Sequence, residues 1–230
     1  MIGSIVDRVI TGGSPRKSRL HDEKGNRISL NRLLRNGPRA FGTGLSRVAF
    51  GTRPVRPWIS YDAQSFLERA LPKAARVLEF GSGMSTIWYA RHAAKVVSVE
   101  DNQEWFSRIE PEIKSLGNVD YRFATGADYY SSIPSGPYDL IIIDGSFRAE
   151  CAAAAMPHAA PDAIIYLDNS DKGFGELTGD VPAAEAMLLS HAKAGDLAAT
   201  YFVDFAPTQF YVGQGLMISP RAKQPASRMR

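Results

Sequence analysis

The sequence contains a single cysteine, Cys151, and lacks any long apolar run. One cysteine excludes an internal disulfide bond, which is typical of proteins in a reducing compartment. No apolar segment approaches the ~18 residues that a membrane-spanning helix requires. The first residues, MIGSIVDRVITGG, also lack the charged start, apolar middle and cleavage site of a signal peptide. We therefore expect a cytoplasmic protein.

Acidic residues are scarce at the start of the chain. Residues 1–56 contain twelve lysines and arginines but three acidic residues, a balance of +9, whereas the rest of the chain has a balance of −6. A nucleic-acid-binding domain would carry its positive charge more uniformly, so this distribution argues against nucleic acid as the partner. The sequence instead predicts a basic extension attached to a mildly acidic body.

Residues 28–50, ISLNRLLRNGPRAFGTGLSRVAF, mix arginines with leucine, phenylalanine and valine. Gly37-Pro38 interrupts this pattern, which predicts two short basic amphipathic helices. Such helices either pack on the neighbouring domain or dock on an anionic membrane surface or a protein partner. We assign residues 1–56 to a basic N-terminal extension and expect residues 1–27 to be poorly ordered. Peripheral attachment to a membrane stays open.

Strands and helices alternate regularly from residue 57 onward. The segments ARVLEF, KVVSVE, VDYRFA, YDLIIID and DAIIYLD predict five strands separated by helices. LAATYFVDFA and FYVGQGLMIS then predict an antiparallel pair. The expected class is α/β, with a Rossmann-like, mostly parallel seven-stranded sheet, a terminal antiparallel strand pair and helices on both faces. This domain covers residues 57–219, and residues 220–230 are predicted to be a disordered tail.

A glycine-rich turn, EFGSGMST, follows the first strand. Gly81 and Gly83 let the backbone approach a ligand closely, and the next helix begins with free N–H groups. The dinucleotide fingerprint is incomplete, because Thr86 occupies the position of its third glycine. Glu100 ends the next strand, where an acid can accept hydrogen bonds from both hydroxyls of a ribose. Together these features predict a ligand that contains adenosine.

At these residues the sequence resembles the class I S-adenosylmethionine-dependent methyltransferases. The resemblance rests on EFGSG, VVSVE, YDLIIIDG, AIIYLDN and the terminal strand pair, and it extends from about Trp58 to Ser219. It implies S-adenosylmethionine as the cofactor, with Glu100 at the ribose. It also implies that Ala127 or Asp128 lies near the adenine, although Asp128 could instead cap a turn. The cofactor-binding residues that it implies are Glu79, Gly81, Ser82, Gly83, Glu100, Asp101, Ala127, Asp128 and Asp144.

Three oxygen-rich side chains end the fourth and fifth strands, namely Asp144, Asp168 and Asn169. The carboxyl ends of parallel strands share one edge, so these side chains should meet there. Hard oxygen ligands suit Mg²⁺, which would orient a substrate hydroxyl and lower its pKa. The pattern is similar to the catechol and caffeoyl-CoA type O-methyltransferases, but Phe147 stands where that family has a lysine. A magnesium site, a metal-free substrate-binding or base pair, and a structural strand exit stay open.

The sequence therefore predicts transfer of a methyl group to a hydroxyl of a small molecule, with Asp144 and Asp168 as catalytic candidates. One alternative acceptor is a sugar or glycolipid at a membrane surface, and another reading is a non-catalytic cofactor-binding scaffold. Trp58 and Tyr61 either line the acceptor pocket or anchor the N-terminal segment. Asp171 and Asp180 lie in a glycine-containing loop that we expect to cover the acceptor as a lid.

Overall fold

The computed structural model describes residues 15–173 and 179–223. Its strands are β1 (Arg76–Phe80), β2 (Lys95–Glu100), β3 (Val119–Phe123), β4 (Tyr138–Ile143), β5 (Ala159–Leu167), β6 (Ala198–Phe205) and β7 (Val212–Ser219). Its α-helices are α1 (Leu30–Phe50), α2 (Tyr61–Ala70), α3 (Met84–His92), α4 (Gln103–Lys114), α5 (Ala127–Ser131), α6 (Arg148–Ala155) and α7 (Asp180–Ala194). Short 3₁₀ turns lie at Met156–His158 and Arg221–Lys223.

The strands form one sheet in the order β3-β2-β1-β4-β5-β7-β6. Neighbouring strands are parallel except at β7, which runs antiparallel to both β5 and β6. The strand order reverses between β1 and β4, and ligands of open α/β sheets bind at such a switch point. The predicted α/β class, the mostly parallel sheet and the terminal antiparallel pair are confirmed.

Both faces of the sheet are covered by helices because its central strands are apolar on both sides. In β4, Ile141 and Ile143 pack in a cluster that includes residues of α5, α6 and α7. Leu140 and Ile142 point to the other face and pack with residues of α2 and α3. A strand that is buried on both faces reads as a continuous apolar run, as the sequence YDLIIID does. Polar residues at the strand ends therefore stand out as candidates for a site.

Helix α1 is one continuous helix, whereas the sequence predicted two. Pro38 lies inside it and removes one backbone hydrogen bond, which usually kinks or ends a helix. The helix continues because both of its halves pack on the same surface. Asn36 is buried in the first half, and Gly44 lies against the ring of Phe210 in the second half. Within the described part of the chain, no helix is both long and apolar enough to cross a bilayer.

The segment before α1 is also packed, so the predicted disorder is wrong for residues 15–27. Arg16 is buried, and its Nε donates to the carbonyl of Val212 at 3.1 Å. Asp22 is fully buried and accepts a hydrogen bond from the Gln214 side chain at 3.0 Å. The basic extension is thus fastened to β7. Residues 1–14 and most of the predicted tail, 224–230, lie outside the described residues.

A pair of glycines on α1 tests this packing. A Cβ atom on Gly44 would lie 2.5 Å from the Phe210 ring, whereas a Cβ atom on Gly42 would meet nothing within 4 Å. We expect Gly42→Ala to stabilise the protein by about 1 kcal/mol through helix propensity. Gly44→Ala should destabilise it by about 1–2 kcal/mol because of overpacking. Urea unfolding measures both, and equal stabilisation by the two variants would contradict the packing of α1 on Phe210.

Candidate active site

The carboxyl ends of β1, β2, β4 and β5 bring predicted site residues to one sheet edge. Phe80 pairs with Val99 on one side and with Ile143 on the other. Ile143 in turn pairs with Leu167. The residues that follow these four positions therefore lie side by side, and they are Gly81, Glu100, Asp144 and Asp168.

Gly81 turns the chain away from β1 with a φ of +89°, a conformation that favours glycine. A Cβ atom at this position would lie 2.9 Å from the backbone nitrogen of Gly145 and 3.0 Å from the carbonyl carbon of Asp144. Both atoms belong to the backbone and cannot move aside without disturbing the exit of β4. A glycine is therefore required for the first and fourth strand exits to meet.

A pocket opens beside this turn. Its cavity volume is about 90 Å³, so a ligand larger than a few waters would extend through its open mouth. Its lining consists of the glycine-rich turn, two tryptophans and one acid, namely Trp58, Ser82, Gly83, Met84, Ser85, Trp105 and Asp144. Trp105 Nε1 donates to the carbonyl of Ser82 at 2.8 Å and so fixes the turn from the side of α4. Three of the predicted cofactor residues, Ser82, Gly83 and Asp144, thus share one pocket.

Glu79 lies behind this turn and is absent from the lining of the pocket. Its fully buried carboxyl group accepts hydrogen bonds of 2.5–2.7 Å from three hydroxyl groups, those of Ser85, Thr86 and Ser98. Thr86, in the place of the missing glycine, also accepts the N–H of Gly83 at 3.0 Å. Burial raises the pKa of Glu79 to about 7. Glu79 therefore fixes the turn and the start of α3, and its contact with a cofactor stays a prediction.

The raised pKa of Glu79 makes stability depend on pH. The unfolded carboxyl ionises near pH 4.5, whereas the folded one stays protonated to about pH 7. Between these values the unfolded state binds fewer protons, so the free energy of unfolding falls as the pH rises. The glutamine of Glu79→Gln cannot ionise, so the free energy of unfolding of this variant should decrease by ~1–3 kcal/mol less than that of the parent over the same pH range. Asp204, whose pKa is also raised to about 7 by burial, should keep part of the slope.

Urea unfolding across this pH range measures the effect. Glu104→Gln, at an exposed position in the first turn of α4, serves as the control. An unchanged slope in Glu79→Gln, or an equal change in Glu104→Gln, would show that Glu79 is not the titrating group.

Glu100 is 5% exposed, and its carboxylate is held by four donors. The N–H and hydroxyl groups of Ser82 donate to one oxygen at 2.9 and 2.8 Å. The N–H groups of Asp101 and Asn102 donate to the other oxygen at 3.2 and 2.9 Å. The Ser82 hydroxyl also hydrogen-bonds to the Tyr121 hydroxyl at 2.7 Å. These contacts hold the Glu100 carboxylate against the glycine-rich turn. Glu100 does not itself line the pocket, so its contact with a ribose stays a prediction.

Asp101, Ala127 and Asp128 do not line this pocket. Asp101 follows β2 directly, while Ala127 and Asp128 form the exposed first turn of α5. The structure shows no capping hydrogen bond from a side chain at the start of α5, so the capping alternative for Asp128 finds no support. The contact of these residues with adenine stays a prediction.

Asp144 and Asp168 form the acidic pair that the sequence predicts. Their carboxyl groups lie close enough for each to influence the pKa of the other. The Asp144 side chain is 37% exposed to the pocket, whereas Asp168 is 6% exposed. Desolvation raises the pKa of both groups, and the charge of Asp144 raises the pKa of Asp168 further. Two carboxyl groups placed in this way require a shared proton or a nearby cation at neutral pH.

Asn169 completes the predicted set of oxygen ligands. Its Nδ2 donates to Asp168 Oδ2 at 2.5 Å. Across residues 15–173 and 179–223, no three His, Cys, Asp or Glu side chains are grouped closely enough to hold a metal ion. The cluster therefore consists of two carboxylates and one amide, and the magnesium site stays a prediction.

Arg148 joins the exits of β4 and β5. It is 8% exposed, and its Nε donates to the Gly145 carbonyl at 2.9 Å. Its Nη1 donates to the Asp168 carbonyl at 2.7 Å, and its Nη2 lies 3.4 Å from the Asp144 carboxylate. The guanidinium charge therefore partly balances the acidic pair. Phe147, which stands where the similar O-methyltransferases have a lysine, packs near the ring of Tyr129.

A second cleft adjoins the acidic pair and shares Trp58 with the first pocket. Its lining includes no lysine or arginine, and its polar members are Ser60, Asp168, Asn169, Asp204, Gln209 and Gln214. Asp144 lines the first pocket and Asp168 lines this cleft, so the two spaces meet at the acidic pair. The enclosed space is comparable to a single water molecule. A ligand would therefore enter only if Trp58 or a neighbouring loop moved.

Asp204 in this lining was missed by the sequence analysis. It is 1% exposed and accepts hydrogen bonds from the Asn36 side chain at 2.7 Å and from the N–H of Asp62 at 3.2 Å. Asn36 belongs to α1, so the N-terminal extension supports one wall of the cleft. An acid within the apolar run YFVDFA was the available signal. Tyr61 anchors α1 through its hydroxyl, which lies 3.2 Å from that of Thr43.

Asp171 and Asp180 have structural roles, so the predicted lid role is wrong for these two residues. Asp171 is 1% exposed and accepts the N–H groups of Glu23 at 3.0 Å and Gln214 at 3.3 Å. Asp180 accepts the first two N–H groups of α6, each at 2.8 Å. One carboxylate fastens the N-terminal segment and the other caps a helix. The rest of the predicted lid falls on residues 174–178, outside the described residues.

Residues 78–170 match the model of a protein family that is described as a methyltransferase domain. This segment contains most of β1, the strands β2 to β5, and the acidic pair. No curated protein matches the sequence significantly. The family match therefore agrees with the predicted similarity of this part of the chain to methyltransferases.

Solved structures share the fold over most of the chain. The cofactor-bound protein Rv0187 from MTB is 24% identical, with a TM-score of 0.58, over 80% of this chain and 97% of that one. An O-methyltransferase from Bacillus cereus in complex with SAH is 16% identical, with a TM-score of 0.58, over 80% and 99%. The O-methyltransferase TomG from Streptomyces achromogenes, in complex with SAM, is 19% identical, with a TM-score of 0.56, over 83% and 96%. The predicted resemblance to class I S-adenosylmethionine-dependent methyltransferases is thereby confirmed.

Proposed function

We propose that this methyltransferase domain uses S-adenosylmethionine and transfers its methyl group to a hydroxyl oxygen of a small molecule. The observation that carries the proposal is the meeting of two clefts at one acidic pair. Asp144 lines the pocket of the glycine-rich turn, and Asp168 lines the neighbouring cleft. Once Trp58 or a neighbouring loop had moved to open the second cleft, a donor and an acceptor held in these two spaces would have their reacting atoms next to the pair. Two solved structures with this fold are O-methyltransferases in complex with SAM or SAH, which supports the proposal.

The first pocket fits S-adenosylmethionine. The glycine-rich turn and Asp144 line it, and the Glu100 carboxylate lies next to this turn, where it accepts from Ser82. Ionised carboxylates form strong hydrogen bonds with hydroxyl groups, so Glu100 suits the two hydroxyls of a ribose. When bound, the cofactor supplies a methyl group on a positively charged sulfur atom. Asp144, at the border of the pocket, would favour this positive charge.

The acidic pair would act on the acceptor. In the transfer, the acceptor oxygen forms a bond to the methyl carbon, the bond from carbon to sulfur breaks, and the hydroxyl proton must leave. Asp168 lines the second cleft, which would hold the acceptor and which we call the acceptor cleft. Asp168 can accept that proton, because its raised pKa is closer to the pKa of an effective general base. Arg148 holds the two strand exits together and so positions both carboxyl groups. Positioning of this kind provides much of the rate of such a transfer.

The same residues could hold magnesium. Two carboxylates and the amide oxygen of Asn169 fit an ion that prefers oxygen ligands and keeps several waters. When bound, Mg²⁺ would lower the pKa of the acceptor hydroxyl. Asp144, Asp168 and Asn169 would be its ligands, and the cation would remove the repulsion within the pair.

The lining of the second cleft favours an uncharged acceptor. It includes no lysine or arginine that would pair with a phosphate or a carboxylate. Amide, hydroxyl and carboxyl side chains beside Trp58 suit a ring that carries several hydroxyl groups. A sugar or a polyphenol has this chemistry, whereas a coenzyme A ester with its phosphates does not.

A methyl-transfer screen tests the proposal. The purified protein is incubated with cofactor that carries a labelled methyl group and with panels of phenols, sugars and phosphorylated compounds, each with Mg²⁺ or with a chelator. We expect label in an uncharged hydroxylated compound. Activity that survives chelation would reject the magnesium role. Calorimetry that detects no binding of S-adenosylmethionine would overturn the proposal as a whole, and binding without any transfer would favour the scaffold alternative.

A further inference from the structure

Helix α1 exposes a row of large apolar side chains. They are Leu30, Leu34, Phe41, Leu45, Val48 and Phe50, and each is between 53% and 83% exposed. Elsewhere in residues 15–173 and 179–223, large apolar side chains reach at most 40% exposure. Single exposed apolar residues are ordinary, but a contiguous row marks a surface that meets a partner.

The row forms a stripe along the helix. At 100° per residue, all of its members except Phe50 fall within about 60° around the helix axis. The buried face of the helix, with Asn36, Ala40 and Gly44, lies about a third of a turn away and packs toward β6 and Phe210. Phe41 lies edge-on to the Phe210 ring, with centroids 6.1 Å apart, but it stays 62% exposed. Most of the stripe area is therefore left uncovered by the domain.

Charge indicates what covers the stripe. Helix α1 contains four arginines and no acidic residue. Asp62 balances two of them, Arg32 and Arg35, through ion pairs. Arg39 and Arg47 lie on the far side of the helix from the stripe, where their guanidinium groups stack over the rings of Tyr61 and Trp58. Lys17, Arg27 and Arg56 are exposed before and after the helix. The extension thus combines an apolar stripe with positive charge beyond the two ends of the helix.

We propose that α1 binds the surface of an anionic membrane. Its apolar stripe would enter the boundary between headgroups and acyl chains, while Lys17, Arg27 and Arg56 would meet lipid phosphates. A second copy of this chain is a poorer fit. Symmetric pairing would bring together two helices that both carry arginines and no acid. A lipid surface supplies the negative charge that the chain itself lacks there.

The position of α1 would bring a bound membrane close to the acceptor cleft. The helix leads through residues 51–57 to Trp58, which lines both clefts, and it supports Asp204 through Asn36. A membrane held by α1 therefore lies next to the elements that form the acceptor cleft. An acceptor that resides in or near the membrane would reach the site directly.

Co-sedimentation of the full chain with vesicles tests the proposal. We expect binding to vesicles of equal parts phosphatidylglycerol and phosphatidylcholine, weaker binding at high salt, and little binding to phosphatidylcholine alone. Leu34→Gln, Leu45→Gln and Val48→Gln remove apolar surface without changing charge. Each should lower the affinity for the anionic vesicles roughly tenfold. Met187→Gln and Leu189→Gln, at exposed positions on α7, are matched controls and should bind like the parent.

Two results would overturn the proposal. One is a failure of the binding test. Either the folded parent, verified by circular dichroism, does not bind the anionic vesicles, or the stripe variants bind them as well as the parent does. The other is a parent that is dimeric by light scattering and stripe variants that are monomeric, which would assign the stripe to a second copy. Neither result depends on methyl transfer, so the proposed function stands or falls separately.

Discussion

Asp168→Asn is expected to lower the rate of methyl transfer about a hundredfold or more, because it removes the carboxylate that lines the acceptor cleft. The affinity for S-adenosylmethionine should stay the same, since Asp168 does not line the first pocket. Thermal stability should not fall. The pKa of Asp168 is raised by burial and by the charge of Asp144, so its ionised form is disfavoured in the folded protein. An uncharged asparagine avoids this cost at neutral pH.

Asp171→Asn is the matched control for this experiment. It makes the same chemical change three residues farther on, at a carboxylate that accepts the N–H groups of Glu23 and Gln214. We expect it to lower stability and leave the rate per folded molecule unchanged. The measurements are turnover with labelled cofactor, calorimetry and thermal unfolding. Normal turnover in Asp168→Asn would remove the acidic pair from the mechanism.

Glu100→Gln is expected to weaken binding of S-adenosylmethionine roughly a hundredfold, because an amide cannot make the charge-assisted hydrogen bonds that we propose between the carboxylate and the ribose. Glutamine also offers one oxygen where the carboxylate offers two. The N–H groups of Asp101 and Asn102, or those of Ser82, would then face an amide NH₂ group. Both effects act on the same pocket, and calorimetry measures their sum.

Ser82→Ala separates the two effects. It removes a hydroxyl donor to Glu100 and leaves the carboxylate free to accept from a ribose hydroxyl. We expect it to weaken cofactor binding much less than Glu100→Gln does, although Ser82 itself lines the pocket. If Glu100→Gln binds like the parent, the ribose role of Glu100 is wrong. If both variants lose binding equally, the contact between Ser82 and Glu100 matters for the shape of the turn instead.

The fold was largely predictable because its strands have a simple local signature. Strands buried on both faces read as apolar runs, and β4 and β5 were located in this way. The prediction was wrong for α1, where Gly37-Pro38 suggested a break. Gly37-Pro38 is a signal in the local sequence for an interrupted helix. The contacts that keep the helix continuous come from Asp204 and Phe210, far along the chain.

The candidate site was predicted in part, for a related reason. The sequence places Gly81, Glu100, Asp144 and Asp168 at strand ends, and a parallel sheet brings such ends together whatever the details of packing. It could not show that Glu79 faces three hydroxyl groups behind the turn. Nor could it show that Asp204 reaches the cleft from β6.

The sequence by itself determined which residues end the strands. It therefore determined which side chains reach the sheet edge that carries the candidate active site. Only the tertiary structure decided which of them stay available for a ligand. Asp168 and Asp171 are both buried acids of one short stretch, yet one lines a cleft and the other binds the N-terminal segment. The physical reason is that burial and hydrogen-bond partners come from residues distant in sequence. The N–H groups of Glu23 and Gln214 donate to the two oxygens of Asp171. The carboxyl group of Asp168 instead lies beside Asp144, next to a cleft.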